Sequence, residues 1–179
     1  MALRREWGNP RQLTHLDAFI TGFPHWSPDG KAVVFHARTP DIGQLYVVRV
    51  NDGAIRQLTH GKGGFVATTC SGDGKFVYAL QEHGGATILY RVPVDGSSPQ
   101  PLWPGCVAVE APRRNLLLYA KLGQPGIYAR SLSGDPLKTS EIRLLQDYRS
   151  GDFGFAPVKN GIYYIGGCRA SEGFPFLFL

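Results

Sequence analysis

Cysteine is scarce in this 179-residue sequence: Cys70, Cys106 and Cys168 are the whole complement, and no two form a CxxC pair. An odd number at such wide spacing excludes a disulfide-stapled scaffold and a cysteine-based zinc site. Charged residues are sparse too, at 18%, and the formal net charge of +5 is spread thinly. The longest basic runs are the pairs Arg4–Arg5 and Arg113–Arg114. Nucleic-acid binding calls for a basic stripe or cluster, so no direct nucleic-acid contact is expected. No apolar run approaches the ~18 residues of a membrane-spanning helix, and the opening MALRREWGNPRQLT lacks the apolar core of a signal peptide. The chain is therefore expected to be soluble and free of membranes, and it carries no address to a compartment.

Catalytic signatures are missing as well. There is no G-x-S-x-G nucleophile elbow, no HExxH, no P-loop, no GxGxxG after a strand and no EF-hand loop. The pairs Gly63–Gly64 and Gly84–Gly85 lie between strand-like segments, where no helix N-terminus follows to complete an anion site, and read as turns. No cofactor and no metal is implied, and the chain is not expected to be an enzyme.

What is plentiful is glycine, at 23 residues, with 13 prolines and 43% hydrophobic residues. That balance suits a globular chain of many tight turns, and no stretch keeps a 3.6-residue apolar period for three turns. Almost no helix is expected.

Laying the chain on itself exposes a repeat. HWSPDGKAVVF (25–35) falls on TCSGDGKFVYA (69–79) at an offset of 44, and the same offset carries Tyr46 onto Tyr90, Val50 onto Val94 and Leu58 onto Leu102. A third copy is more worn: VEAPRRNLLLYA (109–120), GIYARSLSGDP (126–136) and EIRLL (141–145). A fourth has FGFAPVKNGIYYIGG (153–167) and FPFLFL (174–179).

Each unit reads as four short strands. In the first, ITGFPHW is strand A, KAVVFHAR strand B, GQLYVVRV strand C and AIRQLTH strand D, with turns at Pro28–Asp29–Gly30 and Asn51–Asp52–Gly53. Asp-Gly and Asn-Gly supply the positive φ angles that tight hairpins require. Four-stranded antiparallel repeats of 40–45 residues are the signature of β-propeller blades, which bury their faces against one another. Trp26 is expected to act as a wedge between blades.

WSPDGK, LYVVRVNDG and the closing RQLT resemble the repeat of TolB-like β-propellers, found also in tricorn protease and in the propellers of prolyl oligopeptidase-type peptidases. The likeness runs from about Pro10 to Tyr164. The segment from APRRNLLLYAKLGQPGIYARSL to FAPVKNGIYYIGG is most similar to the C-terminal propeller of bacterial winged-helix transcriptional regulators. That resemblance implies a sensor or interaction module, although nothing in this chain resembles the winged helix itself.

The expected architecture is all-β, one propeller domain over 1–179. Blade 1 covers about 17–60, blade 2 about 61–105, blade 3 about 106–150 and a partial blade 151–179. PRQLTHL (10–16) aligns with RQLTHG (56–61) as a lone strand D, while the last copy supplies strands A to C. The two ends add up to one blade. Three arrangements stay open: a four-bladed ring, a fragment of a six- to eight-bladed propeller, or a homo-dimer completing a larger ring.

The expected function is binding of a protein or a small ligand. Two alternatives are a propeller accessory to a hydrolase or peptidase, and an enzyme like the oligogalacturonate lyases, which resemble this repeat in fold and bind metal through propeller histidines. Loops at one face collect from every blade: Phe19–His25, Arg38–Gln44, Gly61–Val66, Glu82–Ala86, Lys121–Pro125 and Arg169–Gly173. Among them His25, Arg38 and Lys121 are the candidate partner-binding residues. The five histidines are otherwise read as structural, His15 and His60 because they recur after RQLT.

Overall fold

A computed structural model describes residues 10–18, 20–39, 42–112, 115–149, 154–166 and 176–178. They form a β-propeller arc of four antiparallel sheets in sequence order. The first blade is β1 (Ile20–Trp26), β2 (Ala32–Thr39), β3 (Ile42–Arg49) and β4 (Ile55–Gln57). The second is β5 (Phe65–Cys70), β6 (Phe76–His83), β7 (Ala86–Pro93) and β8 (Gln100–Pro104). The third is β9 (Cys106–Ala111), β10 (Leu116–Lys121), β11 (Gln124–Ser131) and β12 (Ile142–Leu145). The last sheet is β13 (Phe155–Val158), β14 (Gly161–Gly166) and β15 (Phe176–Phe178), strands A to C as the repeat implied. The one helical element among the described residues is a single 3-10 turn at Pro136–Lys138, capped by the Asp135 carboxylate.

The WSPDGK hairpin explains itself twice over. Ser27 Oγ donates to Asp29 Oδ1 at 2.6 Å while Asp29 Oδ1 accepts from the Lys31 amide at 3.1 Å, and Ser71, Asp73 and Lys75 repeat this at 2.7 and 3.0 Å. Gly30 and Gly74 close the two turns at φ 68° and 71°. In the third blade Asn115, at φ 50°, precedes β10 as Lys31 and Lys75 precede β2 and β6. Its carbonyl accepts from Leu132 N–H as theirs accept from Val50 and Val94. Asn tolerates this left-handed conformation better than most residues, which keeps the hairpin where the Asp-Gly pair is lost.

Strand alternation then gives each blade two apolar faces. Val34, Leu45 and Val47 of the first blade meet Phe65, Val77, Ala79 and Val92 of the second. Tyr78 and Leu89 of the second meet Leu117, Tyr119 and Tyr128 of the third. Leu118, Ile127 and Ala129 continue the stack to Phe155 of the last sheet, with Tyr148 edge-on to Phe155 at 5.5 Å. Central strands are therefore buried on both sides, as β3 shows with five consecutive buried residues, Gln44–Val48.

Two expectations meet a different outcome. Residues 10–18 form no strand; Leu13, Leu16 and Ala18 pack on the first blade's outer face, against Phe35, Tyr46 and Val48. Trp26 wedges against no blade and is 60% exposed, because it points to that same outer face. The ladder-equivalent Cys70 and Glu110, by contrast, reach the preceding blade.

Candidate functional site

The end of the arc where strands B turn into strands C carries a cleft of about 480 Å³ between the first two blades. It is lined by His36 and Arg38 from β2, Ile42 and Gly43 from β3, Lys62 and Gly64 from the loop before β5, Phe65 and Val66 from β5, and Leu80 and Glu82 from β6. Three of the six expected binding loops thus converge, those at 38–44, 61–66 and 82–86. Residues Phe19, Pro40, Asp41 and 169–173 lie outside the described residues.

The loop bearing Lys62 is held from below. Gln44 Nε2 donates to the Gly61 carbonyl at 3.0 Å, and Gln44 Oε1 accepts from Thr59 Oγ1 at 2.6 Å. Thr59 Oγ1 in turn accepts from the Leu45 amide at 2.9 Å. Gln44 and Thr59 are both buried, so the loop is anchored by satisfied hydrogen bonds in a water-poor place, where each is held most firmly. The Gly43 backbone sits so near the next blade that a Cβ there would lie 3.1 Å from the Phe65 carbonyl.

His36 is the unusual member. Its ladder equivalents in the second and third blades are Leu80 and Ala120. The imidazole is 8% exposed, and its Nδ1 has no hydrogen-bond partner. Gly22 makes room for it, since a Cβ at that position would stand 2.9 Å from His36 Cε1. Phe23 stacks on the imidazole with centroids 5.4 Å apart, from a bulge in β1 where Phe23 takes φ 49°. Burial holds the His36 pKa below the ordinary imidazole value, although the nearby Gly22 backbone favours the proton.

Of the three residues singled out from sequence, Arg38 lines this cleft, and His25 and Lys121 do not. His25 is on β1 opposite Val34, where burial lowers its pKa. Lys121, at the end of β10, is tied into the third blade. Its Nζ is 2.6 Å from Glu141 Oε1 and 4.2 Å from the centre of the Tyr128 ring. His36, read from sequence as a structural histidine, lines the cleft, and its place among apolar equivalents was a signal within the repeat alignment.

A second cleft, of about 510 Å³, opens between the second and third blades near Asp73, Arg91 and Glu110. Its main polar groups are already engaged: Tyr78 Oη and the Gly72 amide both donate to Glu110, and Arg91 donates to Gln100 while covering the Phe76 ring. Among the described residues no group of three His, Cys, Asp or Glu side chains is placed to hold a metal ion. No helix among them is long and apolar enough to cross a membrane, which says nothing of a β-barrel.

No protein-family model matches the sequence. An uncharacterized protein of Agrobacterium fabrum (strain C58) is 34% identical over 92 residues, 51% of this chain and 30% of that protein. A structure described as a TolB from Agrobacterium tumefaciens superposes with a TM-score of 0.59 at 21% identity, covering 79% of this chain and 56% of the other. An oligogalacturonate lyase in complex with manganese superposes with a TM-score of 0.64 at 14% identity, covering 88% and 47%. The chain spans less than a third of the curated relative's length and about half of each of these structures. Together with the four sheets, these likenesses establish the β-propeller fold.

Proposed function

We propose that this chain is a non-catalytic binding module whose ligand enters the cleft between the first two blades. The observation that carries the reading is His36. A buried ring nitrogen without a partner costs about 1–3 kcal/mol, and a ligand group that supplies the missing hydrogen bond recovers it. Around it the cleft presents Arg38 and Lys62 as cations, Glu82 as an anion, and Ile42, Phe65, Val66 and Leu80 as apolar wall. Both charge signs beside an apolar wall suit a small zwitterion with an apolar side group, such as an amino acid or a dipeptide. The resemblance of the third and fourth repeats to the propellers of winged-helix regulators supports a sensor role for such binding.

The test is thermal denaturation of the full chain with a panel of free amino acids, dipeptides and dicarboxylates. At least one amino acid or dipeptide is expected to raise Tm, and R38A and H36L are expected to abolish the rise while K121A preserves it. A rise that survives both R38A and H36L overturns the site. Calorimetric titration with manganese checks the competing reading suggested by the lyase: micromolar binding would favour an enzymatic role.

A further inference from the structure

Phe23 holds an unusual place in the first blade. β1 and β2 pair Gly22 with His36 and His25 with Val34, so Phe23 and Pro24 share the space opposite one residue, Phe35, and form a bulge. The second and third blades bulge at matching places, between Ala67 and Thr69 and between Cys106 and Ala108. The ladder pairs beside those bulges are Val66–Leu80 and Cys106–Ala120, where the first blade has Gly22–His36. The bulge of the first blade alone puts a side-chain-bearing residue in the left-handed region: among the described residues Asn115 is the one other non-glycine with positive φ. Phe23 takes φ 49°, a conformation that costs a bulky residue more than it costs Asn or Gly.

Burial does not offset that cost. The Phe23 ring is 59% exposed, and its aromatic neighbour is His36, with planes 30° apart. One face rests on the imidazole while more than half the ring meets water, which is a weak hold for a large apolar group. His36 also lines the cleft between the first two blades, alongside Phe65, Val66 and Leu80. The imidazole thus belongs both to the Phe23 stack and to the cleft wall, and a ring that displaces Phe23 enters space continuous with the cleft.

We infer, on the reading that this cleft is the binding site, that Phe23 is a placeholder on His36 which an aromatic side group of the ligand displaces. The cleft then selects aromatic amino acids, or dipeptides that carry an aromatic residue, over aliphatic ones. A planar ring replaces like with like: stacked on the imidazole it keeps the aromatic contact, which favours centroids about 4.5–7 Å apart. It lies against apolar wall instead of in water, and it frees Phe23 to return to an ordinary backbone conformation. An aliphatic group offers the imidazole no ring face. Arg38 and Lys62 line the same cleft to meet the ligand's carboxylate, and Glu82 its amine.

The experiment is calorimetric titration of the full chain and its F23A variant with phenylalanine, leucine, alanyl-phenylalanine and alanyl-leucine. The wild type is expected to bind the two aromatic probes more tightly than the two aliphatic ones. F23A is expected to bind the aromatic probes about fivefold more tightly still, while the aliphatic probes bind both proteins alike. F23N removes the ring and tolerates the left-handed backbone, and is read in place of F23A if that variant loses its β circular-dichroism signal. Aliphatic probes that bind as tightly as aromatic ones overturn the inference and leave the cleft as the site. So do aromatic probes whose affinity is unchanged or weakened without the Phe23 ring. If none of the four probes binds, the inference falls, and the cleft falls with it only if the whole panel of amino acids and dipeptides is silent too.

Discussion

The Tyr78 hydroxyl donates to Glu110 Oε1 at 2.6 Å across the boundary between the second and third blades, and the Gly72 amide donates to Glu110 Oε2 at 2.7 Å. One carboxylate thereby fastens a strand and a hairpin of the neighbouring sheet. Burial, reinforced by this carboxylate, raises the Tyr78 pKa above the ordinary phenol value, which favours the protonated, donating hydroxyl. Replacing Glu110 by Ala removes the carboxylate acceptor of the part-buried Tyr78 hydroxyl and is expected to cost about 1–3 kcal/mol, whereas E110Q retains an acceptor and is expected to cost less. Urea denaturation of the two variants checks this; equal stabilities would sink the assignment.

In the third blade Glu141 collects Lys121, Tyr119 and Arg130. Burial alone would raise its pKa, but hydrogen bonds from Lys121 and Tyr119 and the charges of Lys121 and Arg130 outweigh it, and the net shift is downward. A carboxylate whose folded pKa is depressed adds stability that is complete above its unfolded value of 4.5 and fades as pH falls through the folded value. The difference in stability between wild type and E141Q is therefore expected to be full at pH 6–7 and to shrink below about pH 4.5. K121A is expected to cost about 1 kcal/mol, since its partner is only a quarter exposed. Denaturation of both proteins at a series of pH values measures the effect.

The repeat made the blades legible in sequence because strand alternation and Asp-Gly turns are local codes that a 44-residue offset can match. The lone strand D expected at 10–16 from RQLTH forms no strand here, although Arg11, Gln12 and Leu13 repeat contacts made by Arg56, Gln57 and Leu58. The site was legible only in part. His25, Arg38 and Lys121 were singled out alike as polar loop residues; that only Arg38 lines this cleft, and that Lys121 pairs with a glutamate twenty residues on, depends on how the strands lie side by side. His36 looked like one more structural histidine. Its isolation shows only once β2 faces the second blade and leaves its Nδ1 without a partner.

Gly126 and Gly30 both take positive φ, at 128° and 68°, yet their substitution should differ. A Cβ at Gly30 meets nothing within 4 Å, so G30A carries only the backbone cost of about 1–2 kcal/mol. A Cβ at Gly126 would stand 2.8 Å from the Leu145 carbonyl oxygen, a backbone atom fixed where β11 pairs with β12. G126A is expected to lose about 3 kcal/mol or more, because steric displacement adds to the conformational penalty. Equal losses in thermal unfolding would show that β12 yields freely.

His36 offers a way to separate stability from binding. Its folded pKa lies below the unfolded value of 6.5, so as pH falls below about 6.5 the unfolded chain takes up a proton that the folded chain refuses. Stability from this residue is thus complete above pH 6.5 and declines as pH drops toward the folded value. The ladder-equivalent residue of the second blade is Leu80, so leucine fits this type of position, and H36L removes both the unpaired Nδ1 and the titration. H36L is expected to gain about 1 kcal/mol at neutral pH, and more at pH 5.5, while losing the ligand-induced rise in Tm. An H36L protein less stable than wild type at pH 5.5 would mean that the imidazole is held by interactions other than those around Gly22 and Phe23.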